Sequence, residues 1–485
     1  MESVRSDKLS LTTKIGFGVG DIYGGGSLVL IGFYYLYFLT DVIRISPALA
    51  GIVFLISKGW DAVSDPLMGL ISDRTKSRFG RRRPYFLLGV FLIFISFFIM
   101  WYPVDFTREI HRFVYILVAY VFFSTVITIV MIPYNALSSE LTLDYHERTS
   151  LMSIRIFFSS VSSIVCAVVP LEIVKLFPSV KEGYIVMGSA FGLFFALPFI
   201  ATFLTTRERE DFKPVSEPPN FRKTFIEPFK IRSFVNVMCM YLFAFVAMDA
   251  LMAIVIYFMT YYLGYGDQTS FVLGAMLVMQ VISIPFYYLL SRKTSKRFGY
   301  ITGALIWIAI MLISFLIRPG TPIIGIYLFV GVIGIGTGGI IVMIYAIFPD
   351  IPDIDELYSG QRREGMYSGL FTFMRKVSSA LAIFLISSAI SLAGYQPPLE
   401  QVVDGVTKLV QQQQSAQFIL TLRLVFAILP IAFLLICLYN SARYPLSVSL
   451  HEKLKELLRK KRLGIQLSPE MIEEEQELKE KLIGG

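Results

Sequence analysis

The chain has 485 residues, 55% of them hydrophobic and 16% charged, with a formal net charge of +8. A mean hydropathy of +0.65 excludes a water-soluble globular protein, because there is too little polar surface to clothe one. Cys166, Cys239 and Cys437 stand far apart in apolar segments, which excludes a disulfide framework and a thiolate metal site.

In chain order, Met1 to Lys14 is polar, and the first apolar run outlasts the core of a signal peptide, so it is expected to stay as a span. Apolar runs long enough to cross about 30 Å of hydrocarbon as helices occupy 15–40, 47–72, 84–103, 112–137, 149–176 and 183–205. A polar segment over 206–232, with Pro214, Pro218, Pro219 and seven Lys or Arg, reads as a linker. Six more runs follow over 233–263, 269–291, 300–318, 322–348, 365–394 and 417–440. The predicted fold is an all-α membrane protein with twelve transmembrane helices in two six-helix bundles, 1–205 and 233–445, followed by a charged tail over 446–485. The tail reads as a solvated helix with Leu454, Leu457 and Leu458 on one side.

The connection Asp73 to Arg83 holds six basic residues, and Arg292, Lys293, Lys296 and Arg297 crowd the corresponding connection of the second series. By the positive-inside rule these loops, the linker and both termini face the cytoplasm. The excess of Lys and Arg is thus a mark of topology rather than of nucleic-acid binding. The same loops carry a repeat: Ser72-Asp-Arg-Thr-Lys-Ser-Arg-Phe-Gly80 and Ser291-Arg-Lys-Thr-Ser-Lys-Arg-Phe-Gly299 match at Ser, Thr, Arg, Phe and Gly. Parallel six-helix repeats build a central cavity in one transporter architecture. The acidic stretch Asp350 to Glu356 is expected to be a loop that pairs with Arg362, Arg363 or the basic connections. No Ser-His-Asp arrangement, phosphate-binding glycine loop or His cluster is found, so an enzyme is not expected.

An ionisable side chain inside a span costs roughly 2.5 to 3.5 kcal/mol on insertion scales and must find a partner. Asp21, Asp61, Asp65, Arg155, Asp249, Arg375 and Lys376 are such residues. Asp61 and Asp65, four apart, share a helix face with Ser64 beside them. Their repulsion favours a proton or a hard cation between them; alternatively, one bonds the backbone near Pro66 and the other pairs with Lys58. Asp21 lies in a glycine-rich run, Gly16 to Gly26, and Arg155 is its natural opposite charge. With Tyr23, Tyr34, Tyr120 and Tyr134 the pair has the composition of a sugar cradle, and a structural salt bridge is the equal alternative.

Trp60-Asp-Ala-Val-Ser-Asp-Pro-Leu-Met-Gly69 with Ser77-Arg-Phe-Gly-Arg-Arg-Arg-Pro-Tyr85 strongly resembles the glycoside, pentoside and hexuronide cation symporters of the major facilitator superfamily. Melibiose permease is their best-known member. The resemblance extends through Gly18-Val-Gly-Asp21, Tyr34 to Asp41, Ile132-Pro133, Glu147-Arg148 with Arg155, and Glu364 to Lys376. It implies the major facilitator fold and cation-coupled symport of a sugar or glycoside. It further implies a monomer in the plasma or inner membrane, with co-transported Na⁺ or H⁺ and no cofactor. Asp61 and Asp65 would hold the cation, Na⁺ if the carrier is sodium-coupled, with Ser64 and Thr128 as further oxygen ligands and Lys376 close by. Asp21, Arg155, Asn135 and Thr372 would meet the sugar. The chain departs from melibiose permease at Met131, Asn135 and Gly20, where that protein has an acid, a tryptophan and a lysine. The family also resembles animal lysolipid carriers, so a lysolipid or other organic solute is the alternative cargo.

Overall fold

Helices dominate because a backbone in hydrocarbon must satisfy its own hydrogen bonds. The computed structural model describes residues 8–142, 144–208, 226–360, 363–403, 406–463 and 468–483. Among them, 11 helical segments are long and apolar enough to cross a membrane. Pro47–Arg74 adds a helix of 28 residues, about 42 Å at 1.5 Å per residue, whose apolar run is broken by Lys58, Asp61 and Asp65.

Contacts group the chain into two units. The first comprises Met1–Val215, Met252–Gly274 and Ile383–Leu422, and the second Ser216–Leu251, Ala275–Ala382 and Arg423–Gly485. The first unit opens with α1 (Leu11–Gly18) and α2 (Asp21–Leu30), extended by π-helical turns over Ile31–Tyr35 and Phe38–Val42. There follow α3 (Pro47–Arg74), α4 (Arg83–Met100), α5 (Glu109–Glu140), α6 (Tyr145–Lys175), α7 (Val180–Ala196) and α8 (Pro198–Thr205). α2 packs on α6, α3 on α5, and α4 against α5, α7 and α8.

Glycine sets how closely the first span approaches α5 and α6. A Cβ on Gly25 would stand 2.0 Å from Ser159 Oγ, and one on Gly20 would stand 2.6 Å from the Tyr134 ring. The place where melibiose permease has a lysine is here filled by a neighbour. Tyr23, Tyr34, Tyr35, Trp101 and Phe97 are fully buried in the core of this unit.

α9 (Arg232–Tyr257) is followed by α10 (Thr269–Lys293), α11 (Lys296–Ile313), α12 (Ile323–Ile347) and α13 (Asp350–Ser359). Next come α14 (Glu364–Leu392), a hairpin of β1 (Leu399–Val403) and β2 (Val406–Val410), and α15 (Ala416–Arg443). The strands are antiparallel, with Leu399 opposite Val410 and Val403 opposite Val406. In the second unit α11 and α12 pack through Gly303 and Gly336.

Two sequence expectations are corrected here. The acidic stretch is a helix, α13, because Pro349 precedes it and Asp350 and Asp353 occupy its first turn, where carboxylates suit the dipole. Its charges do pair as expected: Lys296 meets Asp350 at 2.7 Å, and Arg363 meets Asp355 at 2.5 Å and Glu227 at 3.1 Å. The Asp355 carboxylate raises the Arg363 guanidinium above its usual pKa; Arg362 lies outside the described residues.

The second correction concerns the tail. It forms α16 (Val448–Arg462) and α17 (Pro469–Leu482), and is docked rather than solvated. Leu454, Leu457 and Leu458 are buried, α16 packs on α13, and Arg462 pairs with Glu356. Ser233 Oγ donates to the Leu482 carbonyl at 2.6 Å. Leu454→Ala is expected to cost about 2 to 5 kcal/mol of this packing, read as faster tryptic cleavage within α16. Cleavage at the wild-type rate would contradict a docked tail.

Candidate functional site

The acid pair and its partners come from two parallel helices in fixed register. α3 and α5 run the same way, with residues offset by 63 facing each other. Asp61 Oδ1 therefore accepts from Ser124 Oγ, and one turn on, Asp65 Oδ1 accepts from Thr128 Oγ1 at 2.7 Å. Trp60 Nε1 donates to Thr125 Oγ1 at 2.9 Å and ties the same helices together. Asp61 is fully buried, and Lys58 Nζ meets its Oδ2 at 3.0 Å. The alternative pairing with Lys58 is thus present, and the hydroxyl facing Asp65 is present with it. Ser64 Oγ is buried without a hydrogen-bond partner among the described atoms. Asp61, Asp65, Ser124 and Thr128 offer carboxylate and hydroxyl oxygens, a donor set that suits a hard cation.

The second constellation joins α2, α5 and α6. One nitrogen of Arg155, Nη2, donates to Asp21 Oδ1 at 2.9 Å and to Asn135 Oδ1 at 2.7 Å. The guanidinium lies 5.0 Å from the Tyr134 ring centroid. Tyr134 in turn stacks on Phe17 at 4.5 Å and donates to its carbonyl at 2.7 Å, so the ring cannot swing away. Asn135 is exposed, and the Arg155 and Asp21 side chains keep 20% and 10% of their surface. The group is wet enough to meet a solute and dry enough for its hydrogen bonds to matter. Met131 is buried at the turn before Asn135, its Cε 2.6 Å from where a Gly24 Cβ would stand. A methyl thus packs where melibiose permease has an acid.

Of the four tyrosines expected around this pair, only Tyr134 stands there. Tyr23 packs among Phe97, Phe195 and Phe199, and Tyr120 stacks on Tyr35. The Tyr34 hydroxyl is committed to the Ala167 carbonyl. Thr372 and Lys376 lie on α14 in the second unit, where exposed Thr372 donates back to the Ser368 carbonyl at 2.9 Å.

The model for the family described as MFS/sugar transport protein matches residues 16–448, nearly the whole chain and both constellations. The chain belongs to this family. An uncharacterized symporter of Synechocystis is 27% identical, with 94% of this chain and 98% of that protein covered. The "Putative glycoside/cation symporter YagG" of Escherichia coli is 28% identical, over 89% and 92%. The sodium-dependent lysophosphatidylcholine symporter 1 of chicken is 21% identical, over 93% and 90%. In fold, the chain is similar to an inward-facing, occupied bacterial homologue of the lysosomal transporter Spinster. The TM-score is 0.64 at 13% identity, covering 89% and 95% of the two chains.

Sequence reasoning missed two features of this sugar-transport family member. Ser124 completes the acid pair; the signal was its spacing of four from Thr128, which copies that of Asp61 and Asp65. Asp41, past the far end of the first span, accepts from the Tyr261 and Tyr395 hydroxyls at 2.5 Å each and from Thr40 at 2.8 Å.

Burial pushes the Asp41 carboxyl up to about 6 from 3.8, against the hydrogen bonds that lower it. A folded-state pKa above the unfolded one stabilises the fold fully below about pH 4, and this contribution is lost as pH rises through 6. Asp41→Asn is expected to flatten the melting-temperature profile between pH 4 and 6. A slope equal to that of the wild type would contradict the burial argument.

Proposed function

We propose that the protein is a secondary active transporter that couples entry of a sugar or glycoside to Na⁺ or H⁺ by alternating access. It acts as a monomer in the plasma membrane with both termini cytoplasmic. One observation carries the reading: α5 bears Ser124 and Thr128, which face the acid pair, and Tyr134 and Asn135, which face Arg155. Thr128 and Asn135 are seven residues, about 10.5 Å, apart on the same helix, with Pro133 between them.

A cation at Asp61 and Asp65 relieves their mutual repulsion, takes oxygens from Thr128 and Ser64, and competes with Lys58 for Asp61. The resulting set of α5 orients Asn135, and with it the Arg155 fork, toward sugar hydroxyls. By linkage, sugar tightens the cation by the same factor. The half-loaded carrier is held back because it would close on uncompensated charge.

A lysolipid cargo is the second reading, favoured by the name of the chicken relative. The polar group at Arg155, Asp21 and Asn135 supports the polyhydroxy solute instead, since hydroxyls use its donors and acceptors together. A thermal-shift screen of the purified protein tests the choice, with glycosides, pentosides, hexuronides and lysolipids, each with and without Na⁺ and at two pH values. A saccharide is expected to stabilise the fold, and more so with the coupling cation. Stabilisation by lysolipids alone would overturn the sugar reading.

A further inference from the structure

Asp249 and Arg375 repeat, in the second series of spans, the placement of Asp21 and Arg155 in the first. Asp21 is on the first span and Arg155 on the fifth; Asp249 is on α9, the seventh, and Arg375 on α14, the eleventh. The repeat read in the loops at Ser72–Gly80 and Ser291–Gly299 thus reaches an acid and a guanidinium inside matching helices.

Within the second unit the geometry is that of a built polar group. Arg375 Nη1 and Nη2 donate to Asp249 Oδ2 and Oδ1 at 2.5 and 2.9 Å, a planar fork on a carboxylate. The guanidinium lies 4.5 Å from the Phe245 ring centroid. Tyr241 packs on Phe245 at 4.7 Å and on Phe371 at 4.8 Å. The Tyr345 ring stands edge-on to Tyr241 at 6.3 Å and to Phe245 at 6.2 Å.

A pair that served packing alone would be sealed. Asp249 nearly is, at 7% side-chain exposure, but Arg375 keeps 28% and Tyr345 is 52% exposed. The fork to Asp249 engages two of the five guanidinium N–H groups, and each carboxylate oxygen has a further lone pair.

We propose that Asp249, Arg375 and Tyr345 form a second saccharide subsite. Neighbouring hydroxyls of a pyranose donate to Asp249 and accept from Arg375, while the C–H face of the ring lies on Tyr345. The pair has no net charge, so it suits a neutral polyhydroxy ring; a phosphate or sulfonate would have to take Arg375 from Asp249. This subsite rests on the sugar reading above.

The test is calorimetric titration of the full-length protein, wild type and variants, with 4-nitrophenyl glucopyranosides, galactopyranosides and xylopyranosides. Na⁺ titration without saccharide serves as the control. Asp249→Asn with Arg375→Gln keeps a hydrogen-bonding pair without charge, and Tyr345→Ala removes a ring that is half exposed. Both are expected to weaken saccharide binding at least about tenfold and to leave Na⁺ binding within about twofold, as for loss of a solute contact alone. Tyr345→Ala decides the matter even where the paired variant fails to fold. Saccharide affinity within twofold of wild type in Tyr345→Ala overturns the subsite and leaves the sugar reading standing. If the wild type binds none of the three glycosides, the sugar reading falls and the subsite falls with it.

Discussion

Asp61→Asn is expected to abolish cation-driven accumulation of saccharide in vesicles, a loss of at least about a hundredfold, or about 2.7 kcal/mol. The reason is electrostatic. Asp61 is fully buried and carries Lys58 on one oxygen and Ser124 on the other. A neutral amide of the same shape keeps the packing but removes the charge for which Lys58 and an incoming cation compete. Asp65→Asn is expected to act in the same direction, since Asp65 supplies the second charge and orders Thr128. Lys58→Gln, by contrast, removes the competitor and is expected to raise cation affinity about tenfold, one ion pair's worth at partial burial. Accumulation at the wild-type level in Asp61→Asn would show that the pair is a structural bridge to Lys58 and nothing more.

Arg155→Gln is expected to remove saccharide binding while leaving cation binding measurable. Nη2 of Arg155 is the donor that holds both Asp21 and Asn135, so its loss scatters the polar group at one stroke. Breaking a buried pair by removing one partner costs about 3 to 5 kcal/mol. The exposure of this pair, 20% and 10%, puts the expected penalty toward about 2 kcal/mol. Asp21→Asn added to Arg155→Gln is expected to restore the melting temperature but not the binding. A structural salt bridge predicts the same lowered melting temperature for the single variant but an unchanged saccharide affinity. Equilibrium binding beside thermal denaturation on the same three proteins separates the two.

The spans were legible because hydropathy over some twenty residues is a strong signal and each helix satisfies its own backbone. The buried charges were legible for the converse reason, since each is costly enough in hydrocarbon to demand a purpose. What escaped depends on contacts distant in sequence. Ser124 is one of many hydroxyls in α5, and only the parallel register of α3 and α5 singles it out. Three of four tyrosines credited to the polar pair belong to the packed core, because their aromatic character suits either place and composition does not tell them apart.

The tail helices looked solvated because their charge outweighs their leucines, yet three of those leucines lie on one face and find α13. The hairpin over 399–410 was passed over in an apolar chain, although Asp404-Gly405 between alternating residues is a recognised turn signal; these two residues themselves lie outside the described ones. Asp41 lay in the stretch Tyr34 to Asp41 that carried the resemblance. Its partners Tyr261 and Tyr395 come from segments more than 200 residues on, which no local pattern reveals.

A cation at the acid pair and a saccharide at the Arg155 group are expected to promote each other's binding. The most direct measurement is a reciprocal titration of the purified wild-type protein: saccharide affinity with and without saturating Na⁺ or at low and high pH, and cation affinity with and without saturating saccharide. The expected result is a gain of about five- to 150-fold in each direction, equal in both. Affinities that do not change when the other ligand is present would contradict coupled symport.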